Sequence, residues 1–108
     1  MNTTDAERIR IYVGETDQHE GGALYKWLIS AAHEHALAGA TAIRAMEGFG
    51  KDGQLHANKV FRLSTDLPVI VEIVDSPEKT RAFLKAIGTA LSAALVTAEP
   101  VSVLRRSD

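Results

Sequence analysis

The sequence predicts an α+β domain with the element order βαββαβ. This is the ferredoxin-like arrangement, a four-stranded antiparallel sheet with two helices on one face. Strand-like alternation opens the chain at 8–13 and closes it at 95–104, helical periodicity occupies 23–38 and 77–92, and two further strand-like segments lie between the helices. The 108 residues are 45% hydrophobic, enough to fill one core, so a single domain spanning the chain is expected.

The first strand and the first helix follow from two different periods. Apolar and polar side chains alternate at 8–13, as in a half-buried strand, and the polar residues 1–7 are expected to be a flexible N-terminus. Apolar side chains then recur at helical spacing from Ala23 to Ala38, which predicts an amphipathic helix. Gly39 is expected to end this helix.

Two further strands are predicted on either side of a polar loop. The segment 40–47 has apolar residues on both faces, which suits an inner strand. After the loop, 59–64 is strand-like, and 67–74 is more strongly so because β-branched residues dominate it. Asp66 and Pro68 stand at the junction and predict a kink or bulge.

The second helix has a clear start signal in the run Ser76-Pro77-Glu78. These residues supply a side-chain acceptor for the cap, a fixed φ at a position that needs no N–H, and a negative charge near the positive helix end. The helix is predicted to end near Ser92, with Gly88 as a weak point.

The last strand and the free face of the sheet complete the predicted fold. The strand at 95–104 is predicted as one piece or as two, and 105–108 as a polar tail. Both helices lie on one side of an open sheet, and the second and third strands are apolar on both faces. We therefore expect other copies of the chain to cover the free face, which makes the protein an oligomer.

Composition excludes several classes of function. There is no cysteine, which removes thiol catalysis, cysteine zinc sites and disulfides. The polar start is not typical of a signal peptide, and no apolar run approaches the ~20 residues of a membrane helix. A net charge of -2, without aromatic residues in an RNA-binding pattern, argues against nucleic acid as a partner.

The central region resembles a known signalling family. Gly48-Phe49-Gly50, the basic residue Lys51, a polar loop and then LPVIVEIV resemble the segment around the mobile T-loop of PII signalling proteins. Over 8–103, the runs RIYVGE, GATAIRAMEGFG and LSTDLPVIVEIVD, together with the loop histidine, more closely resemble the domain of unknown function 190 family, a PII-like branch.

This resemblance implies a cytoplasmic homotrimer that binds small molecules in clefts between subunits, at the foot of a T-loop-like segment at 50–59. In many relatives the ligand is an adenine nucleotide, so ATP, ADP or AMP is a possible ligand here, and no cofactor is required. A membrane transporter or channel is a further conceivable partner. Two PII features are missing: 91–103 has no glycine-rich, lysine-containing phosphate loop, and the T-loop has no tyrosine for uridylylation.

The candidate ligand-binding residues flank the loop or lie at the C-terminus. Glycines would let the backbone approach a phosphate, basic side chains would supply positive charge, and the histidine would sense protons, ligate a metal or donate a hydrogen bond. Each also has a structural alternative: a strand exit for the glycines, a core or interface plug for the phenylalanine, and solvation for the charged groups. The candidates are Gly48, Phe49, Gly50, Lys51, His56, Lys59, Arg105 and Arg106.

Other polar residues are weaker candidates. Arg10 and Arg44 are expected on adjoining strands, where they would face a cleft or pair with Glu72. Four loop residues before the first helix form a loose acidic cluster that would bind a cation or stay hydrated: Glu15, Asp17, His19 and Glu20. His33 and His35 diverge on their helix and do not form the metal-binding i, i+4 pair.

Three functions remain open. The preferred interpretation is a non-enzymatic PII-like regulator that signals through its loop. The first alternative is a metal-binding trimer resembling divalent-cation-tolerance proteins, with His56 and carboxylates as ligands. The second is a small ferredoxin-like enzyme, for which the sequence offers no catalytic residue.

Overall fold

The computed structural model describes residues 1–49, 56–57, 66–92 and 94–106. The βαββαβ order is confirmed, with short additional strands in the two loops. The elements are β1 (Asn2–Gly14), β2 (Gln18–His19), β3 (Gly22–Ala23), α1 (Leu24–Glu34), β4 (Ala40–Arg44), β5 (Glu47–Gly48), β6 (His56–Ala57), β7 (Pro68–Asp75), α2 (Pro77–Ala86), a 3-10 turn (Gly88–Leu91) and β8 (Leu95–Arg105).

The four long strands form one antiparallel sheet in the order β4-β7-β1-β8, which is the ferredoxin-like order. Alternate residues of β1 and β7 point to one face and form the core with both helices. Ile9, Ile11, Val71 and Ile73 are completely buried there, as is Leu28 of α1. Each such side chain stabilises the fold by roughly 1.5–3 kcal/mol. Within the described ranges, no helix lies on the opposite face of the sheet.

The sheet extends further at its termini than the sequence predicted. β1 begins at Asn2, and residues 2–7 pair with 100–105, so the prediction of a flexible segment at 1–7 is wrong for residues 2–7. β8 is a single strand that runs through Pro100 and includes Arg105. A proline is tolerated there because β8 is an edge strand.

The first helix ends four residues before the predicted limit. Ala36 adopts φ 58°, its N–H donates to the carbonyl of His33, and the N–H of Leu37 donates to the carbonyl of Ala32. This pair of bonds is a Schellman motif, which terminates a helix with a left-handed residue. Alanine therefore holds the position usually taken by glycine, and Gly39 is not the residue that ends α1.

The second helix starts as predicted and ends early. The Ser76 side chain accepts a hydrogen bond from the N–H of Lys79, with Pro77 in the first turn. The α-helix stops at Ala86, and Gly88–Leu91 continues as a 3-10 turn instead of as helix to Ser92. Glycine weakens the helix at this point, and the tighter turn still buries Ala90.

β4 is an edge strand, so the prediction of an inner strand at 40–47 is wrong. β7 separates β4 from β1, and four of the five residues of β4 are exposed. Its apolar residues on the outer face indicate a surface to be covered from outside the chain. Among the described residues, no helix is long and apolar enough to cross a membrane.

Candidate functional site

The loop base is formed where β5 and β6 pair, with Glu47 opposite Ala57 and Gly48 opposite His56. A Cβ on Gly48 would approach Pro68 Cγ to 3.1 Å, so glycine allows the loop entry to pack directly on the start of β7. The N–H of Ala45 donates to the carbonyl of Pro68 at 2.8 Å and fixes the same junction. The entry of the loop is therefore closely packed against the start of β7.

Part of the predicted site lies outside the described residues. This holds for Gly50, Lys51 and Lys59, for the side chain of His56, and for the strand-like segment at 59–64. Phe49 is described and is 71% exposed, so it does not fill the core of its own chain. The prediction that Phe49 packs in the core is therefore wrong, and the alternative, that it packs in an interface, stays a prediction.

The loop exit is held by carboxylates around Gly14. Asp66 Oδ1 accepts a hydrogen bond from the N–H of Thr16 at 3.0 Å, and the N–H of Glu15 donates to the carbonyl of Leu67 at 2.8 Å. A Cβ on Gly14 would lie 2.8 Å from Asp66 Oδ1, closer than real Cβ contacts allow. Sequence analysis did not identify this contact, because it joins residues about 50 positions apart.

The two predicted arginines at the C-terminus lie far from the loop base. Arg105 pairs with Asn2 at one end of β1, whereas Gly48 packs on Pro68, which is opposite Gly14 at the other end of β1. β1 is 13 residues long, so its two ends lie roughly 40 Å apart at the usual rise of a strand. β8 and β4 also form opposite edges of the sheet. A single chain therefore does not bring the predicted residues together.

The open face of the sheet carries a ladder of ion pairs. Arg8 Nη2 donates to Glu99 Oε1 at 2.6 Å, and Arg10 Nε donates to Glu72 Oε2 at 3.0 Å. The hydrogen bond from Arg8 lowers the pKa of Glu99, and the bond to Glu72 raises the pKa of Arg10. The two positive and two negative charges of this ladder balance, so the ladder itself is neutral.

Arg10 and Arg44 do not lie on adjoining strands, and that prediction is wrong because β7 stands between β1 and β4. Arg10 pairs with Glu72, which was the structural alternative, while Arg44 pairs with Glu15 at the loop end. The same register builds an apolar row across the open face. In this row Leu95 is opposite Tyr12, Tyr12 is opposite Ile70, and Ile70 is opposite Ile43.

The helix-covered side contains one buried carboxylate among the residues that the structure describes, Glu7. Arg81 donates to both of its oxygens, at 2.9 and 2.8 Å, and Thr80 Oγ1 donates at 2.6 Å. These bonds lower the pKa of Glu7 to about 2, with the bond from Arg81 as the largest cause. The carboxylate is satisfied and ionised, so it joins α2 to β1. Sequence analysis did not identify this pair, because 74 positions separate its members.

The loose acidic cluster before α1 does not converge on one point. Glu15 pairs with Arg44, and Asp17 accepts from the N–H of Gly14 at 2.8 Å. The remaining two residues lie on the β2–β3 hairpin, where the ring of His19 packs edge-on against Trp27 with centroids 4.4 Å apart. Trp27 Nε1 donates to Glu20 at 2.6 Å. The described part of the chain holds no group of three or more potential metal ligands.

Comparisons with known proteins agree with this fold. Residues 6–103 match the model of a family known as domain of unknown function 190 and described as "Uncharacterized ACR". A UPF0166 protein of Aquifex aeolicus is 38% identical over 104 residues, which covers 96% of this chain and 98% of the relative.

Two solved structures share the fold at low sequence identity. CPII, a nitrogen regulatory PII-like protein from Thiomonas intermedia K12 bound to ADP, AMP and bicarbonate, has a TM-score of 0.72 at 13% identity, over 96% of this chain and 92% of that one. CutA from Synechococcus elongatus has a TM-score of 0.57 at 11% identity, over 95% and 83% of the two chains. At these identities, both likenesses establish the fold alone.

Proposed function

The chain belongs to the domain of unknown function 190 family, and on that basis we propose that it is a non-enzymatic, PII-like regulator that binds a small anionic ligand between its subunits. The ligand is an adenine nucleotide such as ADP, AMP or ATP. The assembly is a homotrimer, and the segment at 50–59 is the element through which ligand occupancy reaches a partner protein. From the family resemblance, that partner is a membrane transporter or channel.

The separation of the candidate residues is the observation that carries this proposal. Gly48 and Phe49 lie at one end of the sheet, and Arg105 and Arg106 lie at the opposite corner, roughly 40 Å away along β1. A ligand that uses both groups must contact two chains. A head-to-tail ring brings the C-terminal corner of one subunit to the loop base of the next, and each subunit then contributes two half-sites.

The open face of the sheet supports the assembly. It combines a neutral ion-pair ladder with an apolar row that includes Ile43, 45% exposed, and Leu95, 63% exposed. Exposed apolar side chains of this kind, on a face without helices, are typical of surfaces that a partner covers. Because its charges are paired within one chain, the ladder adds no net charge that would repel an identical copy.

The chemistry at the loop base supports an anionic ligand. Gly48 lets the backbone approach a phosphate closely, and Lys51 follows two residues after Phe49 with a positive charge. The bound nucleotides of the structurally similar CPII are consistent with this assignment. The ligand changes the ratio of the two loop states only as far as it binds one state more tightly than the other. Moving that ratio from 1:99 to 99:1 requires a difference in binding free energy of about 5.5 kcal/mol.

Calorimetry combined with sedimentation tests the proposal. We expect a trimer at micromolar concentration and saturable binding of ADP. Lys51→Ala and Arg105→Ala should each weaken binding by roughly tenfold, the effect of losing one charge-assisted contact. The matched control is Lys85→Ala, an exposed cation in the last turn of α2, which should leave affinity unchanged.

Each part of the proposal would be contradicted by a different experimental result. A monomer in sedimentation would remove the inter-subunit cleft. A trimer that binds none of the three adenine nucleotides, with or without bicarbonate, would reject the nucleotide while keeping the assembly. Unchanged affinity in Arg105→Ala would remove the C-terminal half-site.

A further inference from the structure

The turn that follows β1 touches both the loop exit and the first turn of α1. On the loop side, Asp66 accepts from the N–H of Thr16 at 3.0 Å, and its carboxylate lies against Gly14. On the helix side, the N–H of Leu24 donates to the carbonyl of Asp17 at 2.8 Å. The residues 14–17 therefore contact both Asp66 and the start of α1 through hydrogen bonds.

The β2–β3 hairpin continues this connection. Its two turn residues, Glu20 and Gly21, have φ of 50° and 83°. Positive φ is free for glycine but uncommon for glutamate, so an interaction outside the turn must hold Glu20 there. The indole N–H of Trp27 supplies it, through a 2.6 Å bond to the Glu20 carboxylate, and the His19 ring packs on the same indole.

We propose that Asp66 is a positioning residue that couples the loop exit to the β2–β3 hairpin, so that the hairpin is a second surface on which ligand occupancy is displayed. The path runs from the Asp66 carboxylate through Thr16 and Asp17 to the strained Glu20 turn and Trp27. The contacts along this path are all between described residues. The statement that a ligand drives it rests on the proposed function.

Space around Gly14 makes the coupling sensitive to small displacements. A Cβ there would meet Asp66 at 2.8 and 3.0 Å and Asp17 Oδ1 at 3.2 Å, so both carboxylates lie close to the space that a side chain at position 14 would fill. A displacement of Asp66 consequently changes the space available to Asp17. Because Asp17 also accepts from the N–H of Gly14 at 2.8 Å, the start of the hairpin follows.

Hydrogen exchange and tryptophan fluorescence test the coupling without a ligand. Trp27 is the only tryptophan, so tryptophan fluorescence reports on one site, where α1 contacts the hairpin. Asp66→Ala should raise amide exchange at Thr16 and across 18–24 by about tenfold, the effect of losing one hydrogen bond, and should shift the Trp27 emission. Asp66→Asn keeps an acceptor oxygen and should restore both signals.

A matched carboxylate provides the control. Asp75 also accepts backbone hydrogen bonds, from Ala38 at 2.9 Å and Ser76 at 2.7 Å, at the opposite end of β7. Asp75→Ala should lower stability while leaving hairpin exchange and Trp27 emission unchanged. Gly14→Ala disturbs the same contact, because its Cβ would displace the Asp66 carboxylate, and it should reproduce the Asp66→Ala effect on exchange and emission. Its destabilisation should be smaller when Asp66 is already alanine.

ADP then separates the coupling from the proposed function. Where calorimetry detects binding, wild-type Trp27 fluorescence should change with saturation, and Asp66→Ala should bind ADP with a much smaller fluorescence change. ADP binding without a wild-type fluorescence change would overturn the hairpin as a surface that displays occupancy, and unaltered exchange in both Asp66→Ala and Gly14→Ala would overturn the coupling. Altered exchange without ADP binding would reject the nucleotide and leave the coupling intact.

Discussion

The region where α2 begins and the loop end of the domain bind their acidic residues in different ways. In the first region, here called the α2 end, Glu7 lies in the middle of β1, is 9% exposed and is bound by two side chains of α2. Beyond the end of the strand, the carboxylates of Asp17 and Asp66 accept only backbone N–H groups in the bonds that the structure gives them. The contacts of Glu7 join α2 to the sheet, and those of Asp66 join the loop exit to the turn after β1.

Apolar side chains follow the same division. The α2 end buries Phe83 and Ile87 in the core, while the loop end leaves Met46 85% exposed and Phe49 71% exposed. Exposed apolar side chains on a single chain are typical of surfaces that an assembly or a partner covers. The difference indicates that the α2 end supplies stability and that the loop end is kept available for recognition. The following predictions test that division.

The largest effect is expected from removing the charge of Glu7. Glu7→Gln leaves Arg81 without its carboxylate partner and should lower the free energy of unfolding by about 2 kcal/mol in urea denaturation. Ligand affinity should not change, because neither Glu7 nor Arg81 is among the proposed ligand-binding residues. Glu34→Gln, exposed at the end of α1, is the matched control and should stay within about 0.5 kcal/mol. Equal losses in the two variants would contradict the stabilising role.

The same carboxylate predicts how stability depends on pH. The pKa of Glu7 is lowered to about 2 from an ordinary 4.5, so its contribution is complete above about pH 5 and is lost as pH falls through 2. The difference corresponds to about 2 kcal/mol after allowance for the solvent around Arg81, whose side chain is 64% exposed. Urea titrations between pH 6 and 2 should show this loss in the wild type and a shallower one in Glu7→Gln.

Sequence reasoning succeeded where the determinants are local and failed where they depend on register. Alternation and helical periodicity predicted the order of elements, and Ser76 predicted the start of α2. Residues 2–5 are polar and show no strand period, yet β8 pairs with them. The Glu7–Arg81 pair, the Asp66–Thr16 bond and the separation of Gly48 from Arg105 all follow from the packing order β4-β7-β1-β8, which no short pattern encodes.

At the loop end, Gly48→Ala should have a smaller effect on stability and a larger effect on function. The added Cβ would meet Pro68 Cγ at 3.1 Å, so β5 must shift by a few tenths of an ångström, at a cost of about 1 kcal/mol. The shift moves the loop entry and should weaken ADP binding measured by calorimetry. Gly39→Ala is the control, since nothing lies within 4 Å of its added Cβ. Weakened stability with unchanged affinity would place the ligand away from the loop base.

The smallest effect is an increase in stability at the α2 end, where one strained residue remains. Ala36 holds φ 58° at the left-handed position of the Schellman motif, and the nearby N–H of Ala38 donates to Asp75. Glycine adopts this conformation without steric cost, so Ala36→Gly should raise the free energy of unfolding by about 0.5–1 kcal/mol, despite the greater entropy of the unfolded glycine chain. Ala82→Gly, on the exposed side of α2, should instead lower it by about 1 kcal/mol. Opposite signs for the two substitutions in urea denaturation, with ligand affinity unchanged in both, would separate stability from recognition at this end of the molecule.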